Sequence, residues 1–129
     1  MSEPICAPLA PAAIGAYSHA IKSGQTLYVS GQIPLKPDTM ALCGDHISDQ
    51  IDQVFLNLAA VCDAAGASLA QIVKMTVYLL DLDHFQLVND AMERLFTKPY
   101  PARAVIGVAA LPRHAKIEIE AIVEIGVSA

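Results

Sequence analysis

The chain has 129 residues, enough for one domain with a real core, yet 54% of them are apolar and only 16% charged. Globular chains carry about 25% charged residues, so this much apolar surface predicts a covered face and a closed symmetric homo-oligomer. The net charge of −5, with eight Lys and Arg scattered along the chain, forms no basic stripe and argues against nucleic-acid binding.

Residues 1–16 are rich in Pro and Ala and read as an irregular arm. The arm has no basic leader and no long apolar run, so it is neither a signal peptide nor a membrane span, and the cytoplasm is the expected compartment. The turn "SGQT" separates strand candidates at Tyr17–Lys22 and Thr26–Ile33, which predicts a hairpin. Gly31 inside the second strand points to a bulge or a close backbone approach. The loop "PLKPDTMALCG" leaves room for a short strand near Met40–Leu42.

Ile47, Ile51, Val54, Phe55, Leu58, Val61, Cys62 and Ala65 then fall on one helical face, with Asp45 as the expected cap and Gly66 at the C-terminal glycine position. Gln71–Leu80 is a β-branched run, hence a mostly buried strand. A second helix is expected to start at Asp83, with Gln86 at the third position and Leu82 and Leu87 as a hydrophobic staple. Its apolar face is Val88, Met92, Leu95 and Phe96, and Pro99 ends it. The last strands are expected at Ala102–Ala109 and Lys116–Ile125. Together these predict a single α+β domain over residues 1–129, a mixed sheet with two helices packed on one face and the other face needing cover.

Cys6, Cys43 and Cys62 are an odd number without metal spacing, which reads as reduced thiols, and Cys62 falls on the core face of the first helix. His19, His46, His84 and His114 show no metal spacing either and read as surface polar residues. Two readings compete for the last strands. Glu118, Glu120 and Glu124 share one face, which alternation alone explains as solvated. Arg103 shares a face with Val105, Gly107 and Ala109. It could form a surface ion pair with a glutamate of the paired strand, worth ~0–1 kcal/mol. Alternatively its guanidinium fork could hold a ligand carboxylate, with Gly107 leaving room. Tyr17, Ser30 and Asn89 each admit a structural role or ligand contact.

Three ordered blocks carry a resemblance. "APAAIGAYSHAIKSGQTLYVSGQIP", "DLDHFQLVND" and "PARAVIGVAALPRHAKIEIEA" resemble, at the right spacing, the signatures of the RidA (YjgF) family of reactive imine deaminases over nearly the whole chain. The resemblance implies a chorismate-mutase-like fold and a homotrimer with clefts between subunits. It implies hydrolysis of 2-imino acids or their 2-enamino tautomers, such as 2-aminoacrylate and 2-iminobutanoate, to 2-keto acids and ammonia, with no metal or cofactor. Carried over by position, Arg103 clamps the substrate carboxylate, Glu118 activates water, and Tyr17 lines the cleft. Ser30, Gly31, Asn89 and Val105 contribute to substrate binding. Val105 stands where many members have cysteine, Ala16 replaces a frequent proline, and "TKPYPAR" is shorter than in many relatives. Competing expectations are a pathway-specific enamine deaminase of the aminomuconate type, a ribonuclease or translation inhibitor, and a non-enzymatic ligand-binding trimer.

Overall fold

The computed structural model describes residues 2–126. Its strands are β1 (Ser2–Ile5), β2 (Ala20–Ser23), β3 (Thr26–Gln32), β4 (Ile72–Leu79), β5 (Ala102–Gly107) and β6 (Ile117–Glu124). Its helices are α1 (Ile47–Ala64) and α2 (Phe85–Leu95), with short 3-10 turns at Leu69–Gln71, Leu82–His84 and Pro112–His114. The six strands form one sheet in the order β1-β2-β3-β6-β4-β5. Only β4 and β5 run parallel, joined through α2; every other pair is antiparallel. The mixed α+β architecture is therefore as expected.

Alternation sets the two faces of the sheet. Leu27 and Val29 of β3, Met75, Val77 and Leu79 of β4, and Ile117, Ile119, Ala121 and Val123 of β6 are buried. They form one core with Ile51, Val54, Phe55, Leu58, Val61 and Cys62 of α1 and Val88, Ala91 and Met92 of α2. Phe55 and Phe96 meet edge to face, with centroids 5.9 Å apart. Burial pushes the Cys62 thiol up to about 11, in keeping with a core residue. On the other face Tyr28 and Ile106 are exposed.

The ends of the helices hold three corrections and one agreement. α1 closes as expected. Gly66 has φ 75°, the Ala67 N–H donates to the Cys62 carbonyl at 2.8 Å, and the Gly66 N–H donates to that of Asp63. At its start Asp45 does not cap; His46 is the flanking residue and offers no side-chain bond. The Asp45 carbonyl is instead taken by Lys116 Nζ at 2.6 Å. Asp83 does not cap α2 either: His84 flanks the helix without a side-chain bond, and the capping carboxylate is that of Asp81, at the 3-10 turn Leu82–His84 just before it. Asp81 Oδ1 accepts from the Asp83 N–H at 2.9 Å, which starts the 3-10 turn that feeds the helix at Phe85. "DLD" offers two carboxylates two residues apart, and the first of them closes the tighter turn. Leu95, expected in the apolar face, is 43% exposed at the last turn.

The N-terminal arm is also more ordered than its composition implies. β1 adds an edge strand to β2, and Pro4 is tolerated there because an edge strand has one side free of ladder bonds. His19, expected at the surface, is buried. Its Nδ1 accepts from the Ala7 N–H at 3.0 Å and its Nε2 lies 2.7 Å from the Pro11 carbonyl, so the proton sits on Nε2. The ring thereby ties the arm to the start of β2.

Two further polar side chains are buried on α1. Asn57 Nδ2 donates to the carbonyls of Ile33 and Leu35, at 3.1 and 3.0 Å, and its Oδ1 accepts from Gln53. Gln50 Nε2 donates to the Gly44 carbonyl, and its Oε1 accepts from the Lys116 N–H. Three of these bonds fix the loop over residues 33–44 and the fourth ties α1 to Lys116; within the loop Leu35 and Leu42 bridge each other close to the strand expected at Met40–Leu42. Asn57→Ala would strand the buried Leu35 carbonyl, at a cost of about 1–3 kcal/mol, while the Ile33 carbonyl keeps its bond from the Leu35 N–H at 2.8 Å. A loss of about 1–3 kcal/mol, read from the urea midpoint at fixed protein concentration, is the expected outcome. A shift below about 0.5 kcal/mol would show that the loop is held by other means.

Candidate functional site

The sequence-predicted site residues fall into two groups on opposite faces of the sheet. Arg103 pairs with Met75 across β4–β5, while Glu118 pairs with Tyr78 across β4–β6. Met75 and Tyr78 are an odd number of residues apart, so their side chains, and those of their partners, leave the sheet on opposite sides. β4 also lies between β5 and β6. The ion pair of Arg103 with a glutamate of the paired strand, one reading of the sequence, is therefore ruled out. Within one chain Arg103 and Glu118 also do not share a cleft.

The first group lies on the helix side, at the sheet's β5 edge. Arg103 Nη1 donates to Asn89 Oδ1 at 2.6 Å and approaches Met92 Sδ at 3.3 Å. The guanidinium carbon stands 5.0 Å from the centre of the Phe85 ring. Phe85, Asn89 and Met92 follow i, i+4, i+7 spacing, so one face of α2 holds the cation from three points. Stacking and one short bond fix the plane of the fork, while Nε and Nη2 make no bond among the described residues. Arg103, Asn89 and Met92, together with Glu93, Tyr100 and Pro101, line a cleft of about 290 Å³. Asn89 thus acts as the orienting partner of Arg103. Phe85 and Met92 were missed in the sequence, although their helical spacing from Asn89 could have found them. Val105, on the same face of β5, packs against the core. Gly107 leaves no room for a ligand, since a Cβ there would lie 3.0 Å from Leu82 Cγ.

The second group lies where β3 bulges beside the start of β6. The β3–β6 register slips between Val29 and Gln32, and the two residues in the slip are Ser30 and Gly31. Ser30 Oγ donates to the Ser18 carbonyl at 2.6 Å, and the Ser30 N–H donates to that of His19. Gly31 faces the Glu118 carboxylate so closely that a Cβ would overlap it, with Cδ at 2.9 Å. The bulge and the close approach expected from a strand glycine are both present. Tyr17, before β2, is half exposed, and its hydroxyl accepts a long bond from the Ile14 N–H at 3.4 Å. Tyr17, Ser30, Gly31 and Glu118 border a cavity of about 550 Å³, whose far wall comes from the loop over residues 33–44 and the turn after Pro112.

Glu118 makes no hydrogen bond among the described residues. Its carboxyl is raised above the ordinary glutamate value, first by burial and then by the Glu120 carboxylate on the same face. Glu120 is spoken for by the Tyr78 hydroxyl at 2.9 Å, and that bond is the main cause of the raised Tyr78 phenol. A raised carboxyl binds its proton more tightly in the folded chain than in the unfolded one. Stability from this group is therefore lost as pH climbs from about 4.3 through the raised value. A carboxylate kept at such a cost, beside a cavity, is a functional-site signature. Among the described residues no cluster of three His, Cys, Asp or Glu could hold a metal, and the three cysteines are free thiols.

The fold and this pair of half-sites match a known class of small α+β proteins. The family model described as Endoribonuclease L-PSP matches residues 8–125, and the chain belongs to this family, which includes the RidA proteins. It is similar to a 2-iminobutanoate/2-iminopropanoate deaminase of Dermatophagoides farinae, 42% identical over 94% of each chain. The structure of RidA from an Antarctic Psychrobacter species is 45% identical, covers 95% of this chain and 98% of that one, and superposes with a TM-score of 0.91. That of Escherichia coli TdcF with bound serine is 37% identical, covers 95% and 98%, and gives 0.86. No helix among the described residues is long and apolar enough to cross a membrane.

If burial and Glu120 together raise Glu118, Glu120→Gln removes only the smaller cause. Carboxyl carbon NMR should then show Glu118 titrating below its wild-type value yet still above an ordinary glutamate. An unchanged titration would mean that the two carboxylates do not sense each other.

Proposed function

We propose that this chain is a cytoplasmic imine deaminase. It would convert reactive 2-imino acids, or their 2-enamino tautomers, to 2-keto acids and ammonia without a cofactor. The observation that carries the reading is the Glu118 carboxylate: half-buried, without a hydrogen-bond partner, raised, and in contact with Gly31 at the wall of a cavity. The similarity to proteins named 2-iminobutanoate/2-iminopropanoate deaminase and Reactive Intermediate Deaminase A points the same way.

The placement of the half-sites on opposite faces favours an assembly in which two copies share one cleft. A substrate small enough to touch Arg103 and Glu118 together must take them from two copies. We therefore propose a homotrimer in which the β5 edge of one copy faces the β3–β6 cavity of the next. The open face, where Tyr28 and Ile106 are exposed beside Glu118 and Glu120, provides surface for such contacts. In each cleft Arg103 of one copy clamps the substrate carboxylate, held by Asn89 and Phe85 in a fixed plane. Glu118 of the neighbour takes a proton from water as its oxygen bonds to C2 of the iminium. The resulting carbinolamine carries both hydroxyl and amine. Glu118 then passes the proton to the amine, the C–N bond breaks, and the hydroxyl proton returns to Glu118 as the carbonyl forms. The released ammonia finally takes that proton and leaves as ammonium. A carboxyl raised above the ordinary glutamate value is a better proton acceptor than a free one, and such general-base help gives ~10²–10⁴-fold. Tyr17, Ser30 and the Gly31 backbone border the reacting carbon. Val105 follows Arg103 on the same face of β5 and packs against the core.

The family description names an endoribonuclease. A chain of net charge −5 offers RNA no basic track, and we favour the deaminase. Two disabled variants test both the chemistry and the assembly. Arg103→Ala and Glu118→Gln should each lose at least about 100-fold in the hydrolysis of 2-iminobutanoate, generated by threonine dehydratase and trapped with semicarbazide. Unfolded together and co-refolded in equal amounts, they should regain roughly one quarter of the wild-type rate, because one cleft in four receives both intact halves. Turnover retained in both single variants would overturn the assignment. No recovery from well-assembled mixtures would overturn the shared cleft.

A further inference from the structure

We propose that Arg113 is a specificity-determining residue, receiving a second, distal carboxylate of dicarboxylic 2-imino acids in the cavity beside Glu118. The inference rests on the deaminase reading above and names the substrate class of that site.

The cavity, at about 550 Å³, is far larger than a four-carbon imino acid requires. Much of its wall is aliphatic, from Ile14, Ile33, Leu35 and Met40. Its charged lining is sparse. Glu118 is the one carboxylate, both nitrogens of the His19 ring are taken by backbone, and Arg113 is the one Arg or Lys.

The backbone at this rim is unusual. Among the described residues the non-glycine positions with positive φ are Met40 (62°), Arg113 (59°) and His114 (61°). Met40 and Arg113 line this rim, His114 follows Arg113 in the same turn, and Arg113 Nη2 donates to the Met40 carbonyl at 3.0 Å. Left-handed non-glycine residues persist only where their surroundings over-determine them, and they gather at ligand sites. Here the surroundings are the buried amides of α1. Asn57 holds the Ile33 and Leu35 carbonyls, and Gln50 holds both the Gly44 carbonyl and the Lys116 N–H. The guanidinium is thus carried on a braced rim with only one of its five N–H donors engaged among the described residues. A fork presented in this way binds a carboxylate with little further ordering.

An imino acid with a carboxylate at each end would use both forks. Its α-carboxylate would sit on Arg103 of the neighbouring copy, C2 beside Glu118, and its side-chain carboxylate on Arg113. The chemistry is the hydrolysis already described and needs no further reactant. The plainer account is that Arg113 only ties its turn to Met40. That account predicts equal damage to every substrate when the side chain is removed.

The test compares two imines on the full-length protein: 2-iminobutanoate from threonine dehydratase and 2-iminoglutarate from L-glutamate oxidase, each trapped with semicarbazide. Arg113→Gln should lower kcat/KM for 2-iminoglutarate about 10- to 100-fold more than for 2-iminobutanoate, mostly through KM, as expected for one lost charge-assisted contact. Arg113→Lys should recover part of that difference. A parallel change on both imines would overturn the proposal. So would a wild type that hydrolyses 2-iminobutanoate and ignores 2-iminoglutarate; the deaminase reading would stand in both cases. A wild type inactive on both would overturn the deaminase reading and this inference with it.

Discussion

The placement of β6 governs everything else in this molecule. The C-terminal strand does not pair with the strand that precedes it in the chain. It enters between β3 and β4, leaving β5 at the edge. Strand alternation then sends Ile117, Ile119, Ala121 and Val123 into the core and Glu118 and Glu120 to the open face. The same alternation, counted through β4, sends Arg103 toward the helices. A cation and a carboxylate separated by fifteen residues in sequence thus end on opposite sides of one sheet. A second copy is the simplest way to bring them to one substrate.

Buried polar groups provide the rigidity that such a site needs. On the cation side, Asn89 and the Phe85 ring hold the Arg103 fork before any ligand arrives. On the carboxylate side, the Ser30–Gly31 bulge is pinned by the Ser18 and His19 carbonyls, and His19 in turn is locked between Ala7 and Pro11. Gln50 and Asn57 extend the same frame to the loop that closes the cavity. Each of these residues sits in or beside a core that is otherwise apolar. Their energetic effect is less to add stability than to forbid alternatives, since an unmade bond at any of them costs about 1–3 kcal/mol.

Much of this was legible in the sequence. The period-3.6 apolar positions of α1, the glycine that ends it and the β-branched run of β4 were each read from local pattern, because packing follows pattern closely in such elements. The bulge at Gly31 was equally visible, since a strand glycine has few other uses. Global pairing was not legible. Nothing local in "PARAVIG" or "IEIEA" says that β4 comes between them, and so an Arg103–glutamate pair looked reasonable. Short-range competition also misled. Asp81 and Asp83 are chemically equivalent caps, and only the tight turn selects the first. The edge strand at Ser2–Ile5 was hidden by its proline, and His19 by the general tendency of histidine to lie near water. Glu118 and Arg103 themselves were singled out through resemblance more than through spacing, for alternation explains a row of glutamates without any chemistry.

The central claim is that one 2-keto acid or imino acid is held jointly by Arg103 of one copy and Glu118 of another. The most direct measurement is a crystal structure of the assembled protein with 2-oxobutanoate, the stable product of the proposed reaction. The account predicts the carboxylate in bidentate contact with Arg103 and the keto carbon beside Glu118 of the adjoining copy, with N···O distances near 2.8 Å at the fork. A ligand seated in the β3–β6 cavity without Arg103, or on Arg103 far from any Glu118, would contradict it.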